Sequence, residues 1–142
     1  MIRTIKIIWI VLGLTFVASF ALPVDKDNDG YTYGIQHFCS AVFCLFWPPF
    51  WFLFPSSLSN IWFVWAWAAT WEFLDEPTRQ RDWKGIIIVG IFAFLFALIP
   101  VVMQVSKSEP KFAHVGVYAW IGSLLGMLLL TLKIGINRPD HK

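Results

Sequence analysis

One uncharged, aromatic stretch, from Gly30 to Trp71, limits the folds open to this chain more than any other feature. It is 42 residues long, contains no Asp, Glu, Lys or Arg, and holds six of the nine tryptophans. As one straight helix it would be about 63 Å long, about twice the roughly 30 Å thickness of a bilayer's hydrocarbon core. Pro48 and Pro49 also disfavour a continuous helix. The stretch is therefore expected to fold back within a membrane or to lie along its surface.

Composition points to the same class of protein. Of the 142 residues, 58% are hydrophobic and 14% are charged, against about 45–50% and about 25% in a typical soluble domain. The apolar residues form several separate blocks, which a domain of this size cannot hide from water. The sequence predicts an all-α, polytopic membrane protein with four or five hydrophobic helices in one domain over residues 1–142. Its partner is the lipid bilayer, and a formal net charge of +2 does not indicate nucleic acid.

Hydropathy and turn residues predict helices near residues 5–22, 34–54, 60–74, 85–105 and 113–133, with the second broken at Pro48-Pro49. The first helix has two interpretations. A basic start and the sequence Ser19-Phe20-Ala21 are typical of a cleaved signal peptide, but an uncharged run of 18 residues favours a retained span. Residues 55–60 are expected to form a turn that caps the third helix. The indoles of Trp62 and Trp71, near the ends of that helix, are expected at the membrane interface.

The distribution of basic residues separates two topologies. If residues 34–54 do not cross and the N-terminus is inside, eight basic residues lie inside and three outside. The inside set is Arg3, Lys6, Arg79, Arg81, Lys84, Lys133, Arg138 and Lys142, and the outside set is Lys26, Lys107 and Lys111. Five crossings with the N-terminus outside give seven inside and four outside. The first count is better, and both topologies put loop 75–84 and the C-terminus in the cytoplasm.

The most polar segment resembles the first half of a calcium-binding loop. Asp25, Asp27, Asp29 and Gly30 occupy positions 1, 3, 5 and 6 of such a loop. Position 12, which should be a bidentate Glu, is Gln36. Because Asp, Asn and Gly are also ordinary turn residues, a solvated turn is the preferred interpretation, and a weak cation site is the alternative.

The sequence gives little sign of catalysis. No predicted span carries Asp, Glu, Lys or Arg in its middle, where intramembrane chemistry normally places them. The three histidines, at positions 37, 114 and 141, have no metal-ligand spacing. We therefore expect a protein that is not an enzyme, with no cofactor and no structural metal.

Small residues at helical spacing are more informative. The last predicted helix carries Ala119, Gly122, Ser123 and Gly126, and the fourth carries Gly90, Ala93 and Ala97. Such stripes let helix backbones approach closely, and Gly122 with Gly126 forms a GxxxG motif. They indicate either packing within one chain or a contact between subunits.

Three local patterns resemble a loose group of short bacterial multi-pass membrane proteins of unknown function. They are Ala21-Leu22-Pro23, Ser59-Asn60 and Tyr118-Ala119-Trp120-Ile121-Gly122-Ser123. The resemblance covers most of the chain and implies an inner-membrane protein of about five helices. It transfers no site residues, and neither Pro48-Pro49 nor the acidic turn belongs to the pattern.

Two functions remain open at this point. The small-residue stripes favour a protein that assembles with itself, as a pore that changes membrane permeability. The alternative is a membrane anchor or accessory subunit for a protein partner. In that case the cytoplasmic loop 75–84 would bind the partner through Arg79, Arg81, Trp83 and Lys84.

Overall fold

The computed structural model describes residues 2–27, 30–36, 39, 54–77, 81–105 and 115–137. Most of these residues belong to four long helices, α1 (Ile2–Ala21), α2 (Phe54–Asp75), α3 (Trp83–Val105) and α4 (Val115–Ile136). Residues 34–36 and Cys39 are also helical. The prediction of a mainly α-helical chain is confirmed.

Local chemistry explains where the helices begin and end. The helix α1 ends just before Leu22-Pro23, because proline disfavours helical geometry in the residue that precedes it. Asp82 caps α3: its Oδ1 accepts a hydrogen bond from the Gly85 N–H at 2.9 Å. At the end of α4, the Asn137 side chain donates to the Lys133 carbonyl at 2.7 Å. These partners satisfy backbone groups that a helix end otherwise leaves free.

The start of α2 differs from the sequence prediction. A turn was expected over residues 55–60, but the helix begins at Phe54 and contains all of them. Pro55 occupies the first turn of this helix. There its missing N–H has no intrahelical acceptor to lose, and its fixed φ suits a helix. The proline that indicated a turn therefore lies in the first turn of the helix.

The acidic segment also differs from the expected turn. Strand β1 (Pro23–Asp27) pairs antiparallel with β2 (Gly30–Tyr33), and Lys26 lies opposite Tyr31 in the register. Gly30 has φ +132°, a backbone conformation that residues other than glycine rarely adopt. The hairpin then returns the chain to the end of α1, where the Gly34 N–H donates to the Leu22 carbonyl at 3.2 Å.

Successive long helices run in opposite directions. Trp9 of α1 stacks on Trp67 of α2, while the later residue Phe16 stacks on the earlier Phe63, so α1 and α2 are antiparallel. Trp83, which opens α3, lies against Phe73 near the end of α2. It also borders Gly135 near the end of α4. At the opposite end, Gly116 of α4 lies against Val24 of the hairpin.

The bundle thus has two distinct ends. At the charged end, α1 and α3 begin and α2 and α4 finish; it carries Arg3, Lys6, Glu72, Asp75, Glu76, Arg81, Asp82, Lys84 and Lys133. At the hairpin end lie β1, β2, the start of α2 and the start of α4. The order of the helices is up, down, up, down.

Several predicted features fall outside the described residues. They are the break at Pro48-Pro49, most of the helix expected over residues 34–54, Asp29, Arg79, the link around Lys107 and Lys111, and the tail from Arg138.

Candidate functional site

The small residues of α3 face the interior of the chain. Ala93 and Ala97 are buried. A Cβ atom added at Gly90 would meet the indole of Trp62, whose Nε1 is 2.9 Å from that position. The same Nε1 donates to the Ile86 carbonyl at 2.9 Å. Gly90 therefore provides the space in which Trp62 of α2 reaches the backbone of α3.

Trp62 is consequently not an interfacial residue, which corrects the sequence prediction. Its side chain is 2% exposed. Trp62 can be buried here because the N–H of a buried indole needs a hydrogen-bond acceptor, and the Ile86 carbonyl, one turn before Gly90, is that acceptor. Trp71, its expected counterpart near the other end of α2, is 47% exposed.

The small residues of α4 divide between the inside and the outside of the bundle. A Cβ atom added at Gly126 would meet the Leu12 side chain of α1. Ser123 is fully buried, and its hydroxyl donates to the Trp120 carbonyl at 2.7 Å. Ala119 is half-buried. A Cβ atom at Gly122, by contrast, would have nothing within 4 Å, so this glycine lies on an open surface.

Aromatic rings join α1 to α2. The Trp9 and Trp67 rings stack at 4.2 Å between centroids, with 11° between their planes. Trp9 Nε1 donates to the Trp67 carbonyl at 2.9 Å, and Trp67 Nε1 donates to the Trp9 carbonyl at 3.3 Å. The ring centroid of a third indole, Trp71, lies 5.2 Å from that of Trp9. This reciprocal pair fixes the position of α1 along α2.

Apolar side chains fill the described core, and its hydroxyls bond to their own helices. The largest fully buried side chains include Trp62, Ile86, Leu124 and Met127. The hydroxyls of Thr70 and Thr131, like that of Ser123, donate to carbonyls three or four residues earlier. Such bonds satisfy a polar group without a partner from another helix. Each of these three hydroxyls is therefore satisfied within its own helix.

The predicted partner loop contributes fewer accessible side chains than the sequence indicated. Trp83 is the first residue of α3, is 5% exposed and packs edge-on against Phe73. Arg81 forms an ion pair with Glu72 at 2.9 Å. Lys84 is exposed at the charged end. Trp83 is thus part of the bundle's packing, because the charged loop ends one residue before it.

Two carboxylates of the weak candidate cation site lie on a β-strand, and the third, Asp29, lies outside the described residues. Asp25 and Asp27 lie in β1, whose extended backbone pairs with β2, whereas a calcium loop curves around its ion. Among the described residues, no group of three or more His, Cys, Asp or Glu side chains could hold a metal ion.

The outer surface of the long helices is apolar between the two ends. Exposed examples are Leu14 and Val17, each 66% exposed, and then Ile61, Val64, Phe92, Leu95, Leu125 and Leu129. By length and composition, two of the described helices, α1 and α4, could cross a membrane. The sequence predicted this hydropathy, but it did not predict which apolar faces remain exposed.

No protein-family model, curated protein or solved structure matches the chain. A functional interpretation therefore depends on the packing, exposure and charge of the described residues. Among the described residues, accessible surfaces include the apolar sides of the four helices, the open strip of α4 around Gly122, the hairpin end and the charged end.

Proposed function

We propose that this chain is a polytopic integral membrane protein and that α1, α2, α3 and α4 each cross the bilayer. The observation that carries the proposal is the exterior of the bundle. Exposed side chains between the two ends are large and apolar on all four helices, while the described charges lie at the ends. A helix that is apolar on all sides is found in a protein core or in a bilayer. A contiguous apolar surface on four helices marks a site of contact with a membrane or with another protein.

The direction of the helices supports four crossings over five. Because α1 and α2 are antiparallel, the chain between Gly34 and Phe54 begins and ends at the hairpin end. The two described ends of this connection therefore lie on the same side, which supports an even number of crossings for the four described helices. Five crossings would require α1 and α2 to be parallel. With four, the positive-inside rule places the charged end, with both termini, in the cytoplasm, and the inner membrane of a bacterium is the proposed location.

Reporter fusions test this topology. A fluorescent protein that matures only in the cytoplasm should be bright at either terminus, and a periplasmic phosphatase should be inactive at both. A dark N-terminal fusion beside a bright C-terminal one would indicate an odd number of crossings and overturn the four-span arrangement. A fully soluble, correctly folded chain after cell lysis without detergent would overturn the membrane proposal itself.

The proposed activity is self-assembly through the outer strip of α4 that contains Gly122. Leu125 and Leu129 are exposed three and seven residues after this glycine, on the same side of the helix. A glycine on a lipid-facing surface permits close approach of a second helix. Since apolar side chains fill the described core, a permeation pathway would lie between subunits and would open by apolar gating.

The test compares two matched substitutions. Gly122→Leu adds bulk to the strip, and Ala68→Leu adds bulk to an exposed position of α2. We expect Gly122→Leu to lower the oligomeric mass in mild detergent and to reduce ion flux in liposomes, and Ala68→Leu to leave both unchanged. Equal masses for the wild type and both variants would overturn α4 as the contact face. A wild-type monomer without flux would overturn self-assembly.

A second candidate function is favoured by the exposed charges of the charged end. Asp75, Glu76, Asp82 and Lys84 are exposed around the α2–α3 connection, and they could bind a cytoplasmic protein as an accessory subunit does. The variant Asp75→Asn/Glu76→Gln changes charge and spares the buried Trp83. Recovery of a stoichiometric partner with the wild type, and its loss with this variant, would favour the accessory role over self-assembly.

A further inference from the structure

The tyrosines of this chain share one location. The sequence has three, Tyr31, Tyr33 and Tyr118. Two lie on strand β2 of the hairpin, and the third lies near the start of α4, two residues after Gly116, which touches Val24 of the hairpin. All three are thus at the hairpin end, at the opposite end of the bundle from Lys133 and Arg3.

Each of these rings is turned outward. Tyr31, Tyr33 and Tyr118 are 49%, 42% and 54% exposed. On β2, Tyr31 and Tyr33 are two residues apart and therefore on the same face of the strand, while Thr32 between them is only partly exposed. The hairpin cannot easily turn this face inward, because Val24 is buried against Gly116 and the Gly34 N–H is bonded to the Leu22 carbonyl.

We propose that Tyr31, Tyr33 and Tyr118 form a tyrosine girdle that binds the headgroup layer of a phospholipid bilayer and sets the depth of the bundle. This inference rests on the proposed membrane location and adds which residues contact the interface on the hairpin side. A tyrosine has an apolar ring and a polar hydroxyl, so it is most stable where hydrocarbon meets headgroups.

The spacing of the girdle and the charged end fits a bilayer. Tyr118 and Lys133 lie on the same helix and are separated by about 22 Å along its axis at about 1.5 Å per residue. That distance covers most of a hydrocarbon core of about 30 Å. Exposed apolar side chains, including Leu125 and Leu129, occupy the interval. The three tyrosines therefore lie where the exposed apolar surface ends on the hairpin side.

Spin labels measure the depth of each position. In a background where Cys39 and Cys44 are serine, single labels are placed at Tyr31→Cys, Tyr33→Cys and Tyr118→Cys. Reference labels are placed at Phe92→Cys, an exposed apolar position in the middle of α3, and at Glu76→Cys, at the charged end. Each variant is reconstituted in phosphatidylcholine vesicles, and its collision rates with dissolved oxygen and with a water-soluble nickel chelate are compared.

We expect the oxygen-to-nickel ratio at the three tyrosine positions to lie between the ratios of the two reference labels. A ratio as low as that at Glu76→Cys for all three would place the girdle in water and overturn this inference, while a high ratio at Phe92→Cys would leave the membrane proposal standing. A ratio at Phe92→Cys as low as that at Glu76→Cys would overturn the membrane proposal as well. Thr32→Cys is the matched control within the hairpin, and its partly buried label should collide less with both reagents.

Discussion

Replacing Gly90 with alanine is the sharpest test of how this bundle packs. The added Cβ would meet the Trp62 indole, which is 2% exposed and donates to the Ile86 carbonyl at 2.9 Å. A rigid, buried ring cannot yield without losing this bond. Overpacking of a core costs about 1–3 kcal/mol, and the lost hydrogen bond costs about 1 kcal/mol.

Gly122→Ala is the matched control, because a Cβ atom at that position would meet nothing within 4 Å. Both variants gain the same helix propensity, about 1 kcal/mol from glycine to alanine, so this gain cancels in their comparison. We therefore expect Gly90→Ala to be less stable than Gly122→Ala by about 2–4 kcal/mol.

The assay is equilibrium unfolding in mixed micelles, in which dodecyl sulfate is titrated and helicity is followed by circular dichroism. A second comparison uses Trp62→Phe, whose smaller ring lacks the donor. In that background Gly90→Ala should cost less than in the wild type, by more than about 0.5 kcal/mol, which is beyond ordinary additivity. If Gly90→Ala and Gly122→Ala were equally stable, Gly90 would not be the space for Trp62, and the packing argument would be refuted.

Three further substitutions test single contacts. Asn60→Ala removes the acceptor that lies 2.7 Å from Trp120 Nε1 and should cost about 1 kcal/mol in the same unfolding assay; no loss would show that this bond does not stabilise the bundle. Arg81→Gln removes the ion pair between Arg81 and Glu72, whose side chains are 28% and 38% exposed respectively. Because solvent reaches this pair, the free energy of unfolding should fall by less than about 1 kcal/mol, and by less still in high salt; a larger, salt-independent fall would contradict a solvent-screened pair. Trp9→Phe removes one ring of the stacked pair, and we expect the near-ultraviolet circular dichroism band from coupled indoles to fall; an unchanged band would contradict the stacking.

The long helices could be predicted because the uncharged runs are long and particular residue types mark where each run begins and ends. The predicted limits of 85–105 and 113–133 differ from those of α3 and α4 by three residues or fewer. Charged residues and prolines marked most of these limits. The prediction at Pro55 was wrong, since a proline in the first turn of a helix cannot be distinguished by sequence from a proline in a loop between helices.

The hairpin could not be predicted from its residues. Asp and Pro are poor strand formers, and the order Asp25-Lys26-Asp27 indicates a turn. The two strands bring the chain back to the end of α1, where the Gly34 N–H bonds to the Leu22 carbonyl. The local sequence does not show this contact between distant residues.

The small residues illustrate the same limit. Their spacing predicts surfaces where another helix approaches closely, but it does not identify the residue that makes each contact. Gly90 contacts an indole from α2 and Gly126 contacts a leucine from α1, whereas no described side chain lies within 4 Å of a Cβ atom built at Gly122. Only the three-dimensional arrangement separates an internal contact from an open strip.

The contact between Leu12 and Gly126 has a consequence for the order of assembly. It joins α1 to α4, so this interface can form only after α4 has been synthesised. Before then, among the described long helices, α1 can contact α2 through the Trp9 and Trp67 rings. Sequential addition of the helices would therefore give an open arrangement first, in which α1 lacks its contact with α4. The arrival of α4 would close this arrangement into a ring of the four described long helices.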